Sequence, residues 1–190
     1  MSGLASLRLR NRNLELLSFS NFGINSDRQL VIDLYGAKLS ENSMNSLLKN
    51  KNVSILSLEK SDFDDRWFGH DPSGNLSGLI TCDSNFSSHG VRWCGNQSSL
   101  ILLDCRNTKV AASDLRDLTQ SRSLEILLTE IMLSDSDVEI LAAAKNIREV
   151  WALVDNVDNF PDKFKLSAPR GVAHSFLMCE QNQNKGDAAQ

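Results

Sequence analysis

An apolar register that returns every 23 or 24 residues limits this chain to very few architectures. Val53, Leu76, Leu100, Leu124 and Ile147 open successive segments, separated by steps of 23, 24, 24 and 23. In each segment a second apolar residue follows three positions later: Leu56, Leu79, Leu103, Leu127 and Val150. A third lies at offset ten or nine: Phe63, Phe86, Val110, Leu133 and Val157. An earlier unit joins the series from Gln29, with Ile32, Leu34 and Leu39 in matching slots. A fixed period in the twenties signals stacked supersecondary units and argues against a single wound sheet. One such unit cannot bury its apolar face alone; only its neighbours can.

Within a unit, the residues call for a short strand and then a helical or irregular return. Ser99 to Thr108 has the strand pattern, Val110 turns inward, and Ser113 or Asp114 is placed to cap a helix. Leu115 and Leu118, three apart, suit one face of that helix. Leu124 to Thr129 repeats the strand, and Ser134 to Asp137 precedes Val138 and Leu141. In the earlier unit Ser40 starts a helix with Met44, Leu47 and Leu48 inward. Two returns, Asp62 to Gly78 and Phe86 to Gln97, carry Gly or Pro and are expected to be irregular. Trp67, Phe68, Val91 and Cys94 can still plug the core from them.

These residues resemble leucine-rich repeats, whose core reads Leu-x-x-Leu-x-Leu-x-x-Asn-x-Leu, most clearly over Gln29 to Leu39. The resemblance covers roughly residues 29–157 and implies an α/β leucine-rich-repeat solenoid: a curved parallel sheet inside, with helices and irregular loops outside. It is closest to ribonuclease-inhibitor-like repeats with helical returns. The family's Asn is replaced here by Ala37, Ser61, Ser84, Thr108 and Met132. Small or hydroxylated residues still suit a tight turn, which leaves Met132 as the misfit. The expected organisation is an N-terminal cap at 1–28, about six units over 29–157, a C-terminal cap at 158–180 and a disordered tail at 181–190.

Composition adds mainly exclusions. A net charge of -4 and a pI near 5.4 leave no basic footprint for nucleic acid. No apolar run approaches the ~20 residues that span a bilayer, and the N-terminus lacks the apolar stretch of a signal peptide. Cys94 and Cys105 occupy core slots, Cys82 is expected on the exposed strand face, and Cys179 lies near the end. Reduced thiols and a cytoplasmic location are the expectation. Four Asn-x-Ser sequons, at Asn52, Asn75, Asn85 and Asn96, matter only after secretion.

Chemistry-bearing motifs are missing. The sequence has no nucleophile elbow, phosphate loop or dinucleotide fingerprint. His70, His89, Cys82 and Cys94 can be imagined around a metal, but they lack ligand spacing, and Cys94 is wanted in the core. His174 is isolated, and the Gly-His-Asp-Pro-Ser-Gly string around His70 reads as a polar loop. No catalytic, cofactor or metal residue is therefore assigned.

Side-chain alternation instead defines a surface. Offsets three and five point inward, so offsets two, four and six form three outward rows. They are Val31, Ile55, Gly78, Leu102, Ile126 and Glu149; then Asp33, Ser57, Ile80, Asp104, Leu128 and Trp151; then Tyr35, Glu59, Cys82, Arg106, Glu130 and Leu153. The strip mixes large apolar groups with acids and one base, which suits a protein or peptide partner carrying basic groups. The expected binding residues are Ile80, Asp104, Arg106, Leu128, Glu130 and Trp151, with Trp67 and Trp93 as either core plugs or further anchors. The resulting expectation is a non-catalytic interaction module with no nucleic-acid or membrane role, for which a homodimer is possible. The alternative is a recognition or structural subunit of a ubiquitin-ligase-like or effector assembly.

Overall fold

A computed structural model describes residues 5–20, 29–69 and 75–154. The expected C-terminal cap and tail, together with His70, His174 and Cys179, lie outside the described residues. Seven strands form one parallel α/β sheet in strict chain order. They are β1 (Ala5–Arg8), β2 (Leu30–Asp33), β3 (Val53–Ser57), β4 (Gly78–Ile80), β5 (Leu102–Asp104), β6 (Ile126–Leu133) and β7 (Glu149–Val154). Each strand pairs with the next in sequence, so the sequence period becomes the sheet register. Leu7, Ile32, Leu56, Leu79, Leu103, Leu127 and Val150 lie on one transverse line. All but Leu7 are fully or almost fully buried; each such side chain contributes roughly 1.5–3 kcal/mol of apolar burial.

The sheet begins earlier than the 23–24 period indicates. Leu7, Leu9 and Leu14 precede Ile32, Leu34 and Leu39 by 25 residues, and β1 pairs with β2 in the common register. Leu14 and Phe19 enter the same core. The segment expected to cap the stack thus contributes another rung to it.

The returns cover one face. The helices α1 (Glu41–Leu48), α2 (Ser88–Gly95) and α3 (Asp135–Ala143) supply Met44 and Leu47, Val91 and Cys94, and Val138 and Leu141 to the shared core. Ser40 and Ser134 cap α1 and α3; in α3 Asp137 closes the box by accepting the Ser134 N–H at 3.1 Å. The helix expected around Leu115 and Leu118 is a 3-10 helix (Ala112–Gln120), where Asp114 accepts the Ala111 N–H at 2.8 Å. In that geometry side chains three apart eclipse, which sends both Leu115 and Leu118 inward.

The return at Phe86 to Gln97 corrects the expectation of an irregular loop, because α2 spans eight of its residues. Its glycines meet a packing need. A Cβ on Gly90 would sit 2.2 Å from the Phe86 ring, and one on Gly95 2.3 Å from the Asp117 carbonyl oxygen. The start of α2 is held from the preceding unit. Buried Asp65, in a short 3-10 turn (Asp65–Trp67), accepts the Ser87 N–H at 2.7 Å, the Ser87 hydroxyl at 2.9 Å and the Gly90 N–H at 3.0 Å. A carboxylate here satisfies free helix N–H groups and meets the positive end of the helix dipole. Around it Phe63 stacks on Phe68 at 5.9 Å, and Phe68 meets the edge of Trp93 at 5.0 Å.

The strand exits repeat as closely as the core does. Asn11, Gly36, Lys60, Asp83 and Asn107 all have left-handed backbone, with φ of 49°, 63°, 54°, 57° and 49°. They are one unit apart, and four of the five are the residue types that tolerate this conformation best. Hydroxyls secure the turns after the strands: Ser61 donates to the Leu34 carbonyl at 2.5 Å, Ser84 to the Thr81 carbonyl at 2.6 Å and Thr108 to the Cys105 carbonyl at 2.7 Å. The sixth unit puts Ile131 at the left-handed slot. A β-branched residue resists that conformation, and β6 runs on to Leu133 with a register shift between Leu128 and Met132.

Two outcomes test this account. Asp65→Ala should cost about 1–3 kcal/mol in a urea melt, since the buried Gly90 N–H and two half-buried Ser87 donors lose their acceptor; a loss below about 0.5 kcal/mol would refute the cross-unit cap. Gly36→Ala should cost about 1–3 kcal/mol, because its Cβ would meet Asn11 Oδ1 at 2.1 Å on a backbone with φ of 63°.

Candidate protein-binding face

The face opposite the helices carries the rows expected from alternation. Ala5, Leu7 and Leu9 pack on the core, which turns Ser6, Arg8 and Arg10 to the other side. Val31, Ile80, Cys82 and Leu128 are buried yet lie outside the core cluster. They are covered by their neighbours on the sheet: in register, Ile80 sits between Ser57 and Asp104, and Leu128 between Asp104 and Trp151. Strands about 4.8 Å apart allow such lateral coverage.

This burial corrects the expected centre of binding. Ile80 and Leu128 are only 7% and 4% exposed, and Asp104 is 4% exposed. Cys82, expected to be exposed, is buried as well. The accessible apolar groups instead belong mostly to the first row and its margin. Ile55, Leu102, Ile126 and Trp151 are half-buried, and Ile101 and Met132 are exposed. Ile101 emerges at a local kink, where its N–H and that of Leu102 share the Ser77 carbonyl at 2.8 and 3.0 Å. The same sharing recurs one unit later, with Glu125 and Ile126 both donating to Ile101. Alternation alone gives no sign of this extra residue.

The carboxylates are more fully engaged than the sequence indicates. Asp104 accepts the Arg106 backbone N–H at 3.2 Å and its guanidinium at 2.9 and 2.7 Å. Two of the expected binding residues therefore neutralise one another. Asp33 accepts the Tyr35 N–H at 3.2 Å and lies 3.4 Å from Arg10 and 3.9 Å from Arg8. Trp151 is held by its indole N–H, which donates to Glu149 at 2.6 Å. Glu130 is exposed, but the register shift pairs Leu153 with Met132, so the third row breaks there.

Trp67 and Trp93 are both half-buried and packed against the core on the helical side, and the Trp93 indole donates to the Gly69 carbonyl at 2.8 Å. They serve as plugs. His89 lies half-buried on α2, and no metal-holding group of His, Cys, Asp and Glu occurs among the described residues.

The chain matches no protein-family model, and no curated protein sequence is similar to it. No helix among the described residues is long and apolar enough to cross a membrane.

The core thiols have a definite chemistry. Burial raises Cys94 well above the ordinary thiol range. Burial, with the nearby Asp104 charge, pushes Cys105 up to about 12. A thiol that keeps its proton more tightly when folded stabilises the fold below its unfolded value. That contribution is lost as pH rises from 9.0 towards about 12. In native protein at pH 8, Cys94 and Cys105 should resist iodoacetamide while urea-unfolded protein labels fully, as read by peptide mass spectrometry. Equal native and unfolded labelling rates would contradict the core placement.

Proposed function

We propose that the chain is a leucine-rich-repeat-type solenoid acting as a non-catalytic interaction module, and that it binds a protein or peptide on the open face of its sheet. One observation carries this reading. Ile55, Leu102, Ile126 and Trp151 form an apolar strip outside the core, and no described element lies over it. Contiguous exposed apolar surface on a soluble domain is characteristic of binding sites. The strictly sequential parallel order, one unit per strand, supports the solenoid assignment. The polar groups nearby support a non-catalytic role: Asp33 and Asp104 are taken up by local turns and arginines, and Asp65 by a helix cap. A cytoplasmic setting agrees with the burial of Cys82, Cys94 and Cys105, none of them in a disulfide among the described residues.

The test compares capture of partners from native-host lysate by wild type and by a Leu102→Glu, Ile126→Glu double variant. Both positions are half-buried and off the core, so the variant should keep its circular dichroism and melting temperature. A partner retained by wild type should fall by about tenfold or more, as for loss of central anchors. Undiminished capture by the folded variant would rule out this face.

A further inference from the structure

The apolar strip has a chemically complementary segment within this same chain. Over the three strands that carry Leu102, Ile126 and Trp151, residues 101–106, 125–130 and 148–153 hold four acids and two bases. The acids are Asp104, Glu125, Glu130 and Glu149; the bases are Arg106 and Arg148. Asp104 and Arg106 neutralise each other in their bidentate pair, which leaves three acids to one base. The nearest further cations along the chain, Lys109, Arg122 and Lys145, lie in segments joining these strands to the helical layer. Glu130 is exposed, Glu125 and Glu149 are half-buried, and Ile101 and Met132 are 43% and 51% exposed. A cover for this surface needs apolar side chains together with net positive charge.

Residues 163–179, outside the described residues, have that composition. They carry Lys163, Lys165 and Arg170 without a single Asp or Glu, alongside Phe164, Leu166, Val172, Phe176, Leu177 and Met178. The change along the chain is abrupt, because residues 155–162 hold Asp155, Asp158 and Asp162 and no base. Reach is sufficient. Eight residues, 155–162, separate the end of β7 at Val154 from Lys163, and eight extended residues span about 26–29 Å. β5 lies two strand spacings from β7, about 10 Å.

Resting on the binding-face reading above, we infer that residues 163–179 are an occupant of this face. They lie over β5 to β7, with Phe176 and Leu177 on the apolar strip and the cations beside Glu125, Glu130 and Glu149. A tethered segment meets its site at an effective concentration on the order of millimolar, so even a weak contact stays closed. The face is thereby covered from within, and a partner gains it by displacing the segment. The partner so selected shares the segment's chemistry: apolar anchors flanked by basic residues.

The experiment replaces Phe176 in the full chain with the photocrosslinker benzoylphenylalanine, and maps the crosslinks by mass spectrometry after irradiation. Crosslinks should form within one chain, to peptides containing Leu102, Ile126 or Trp151, and fall about tenfold in the Leu102→Glu, Ile126→Glu background, as for loss of central anchors. In a second arm, a fluorescent peptide of residues 163–179 is titrated against wild type and a Phe176→Asp, Leu177→Asp variant of the full chain. The variant, with its face uncovered, should bind the peptide at least about tenfold more tightly than wild type.

Crosslinks confined to α3 and the residues leading into β7 would overturn the inference in favour of a cap on the core edge. Crosslinks between chains that grow with concentration would overturn it in favour of a second copy. Equal peptide affinity for wild type and variant, or binding to neither, would overturn it as well. If lysate capture still depends on Leu102 and Ile126 while the crosslinks fall elsewhere, the binding face stands and only this occupant is removed.

Discussion

Everything in this structure hangs on one transverse stack of aliphatic side chains. Ile32, Leu56, Leu79, Leu103, Leu127 and Val150 each belong to a different strand and are buried by the strands beside them. No strand here has a core of its own. The shortest strands are only three residues long and could not persist in isolation. The stack fixes register, and register then brings the helical returns over one face and leaves the other open.

That open face shows how a parallel sheet can hide apolar groups without a second layer. Ile80 and Leu128 are shielded from water by polar and aromatic neighbours on adjacent strands. Asp104 performs two tasks there. It fixes the turn through the Arg106 N–H and holds the Arg106 guanidinium. Its charge is therefore spent within the molecule.

The strand positions and inward residues were legible because burial imposes a period, and a period survives in one sequence. Cys94 and Cys105 could be placed in the core by slot alone. What escaped sequence reasoning was set by contacts between units. Gly90 and Gly95 look like helix breakers until Phe86 and Asp117 are seen to occupy their Cβ space. The Asp65 cap joins residues 22 and 25 apart, a distance at which an acid in a turn looks merely solvated. β1 fell outside the repeat count because of its 25-residue step. One further signal was present but unused: the recurrence of Asn, Gly, Lys, Asp and Asn at the strand exits.

The interruption of that recurrence at Ile131 has a mechanical consequence. In an array held by nearest-neighbour contacts, cooperativity passes from unit to unit only as well as each junction transmits it. The first five exits turn alike, whereas β6 runs five residues further and meets β7 through a shifted register. The sheet thus carries an irregular junction near its end. Beyond the shift the two strands pair again, giving five residue pairs against three or four at every other junction, so that joint is the most heavily laced in the sheet. Trp151 sits on the strand held there, so this pairing also anchors one end of the apolar strip.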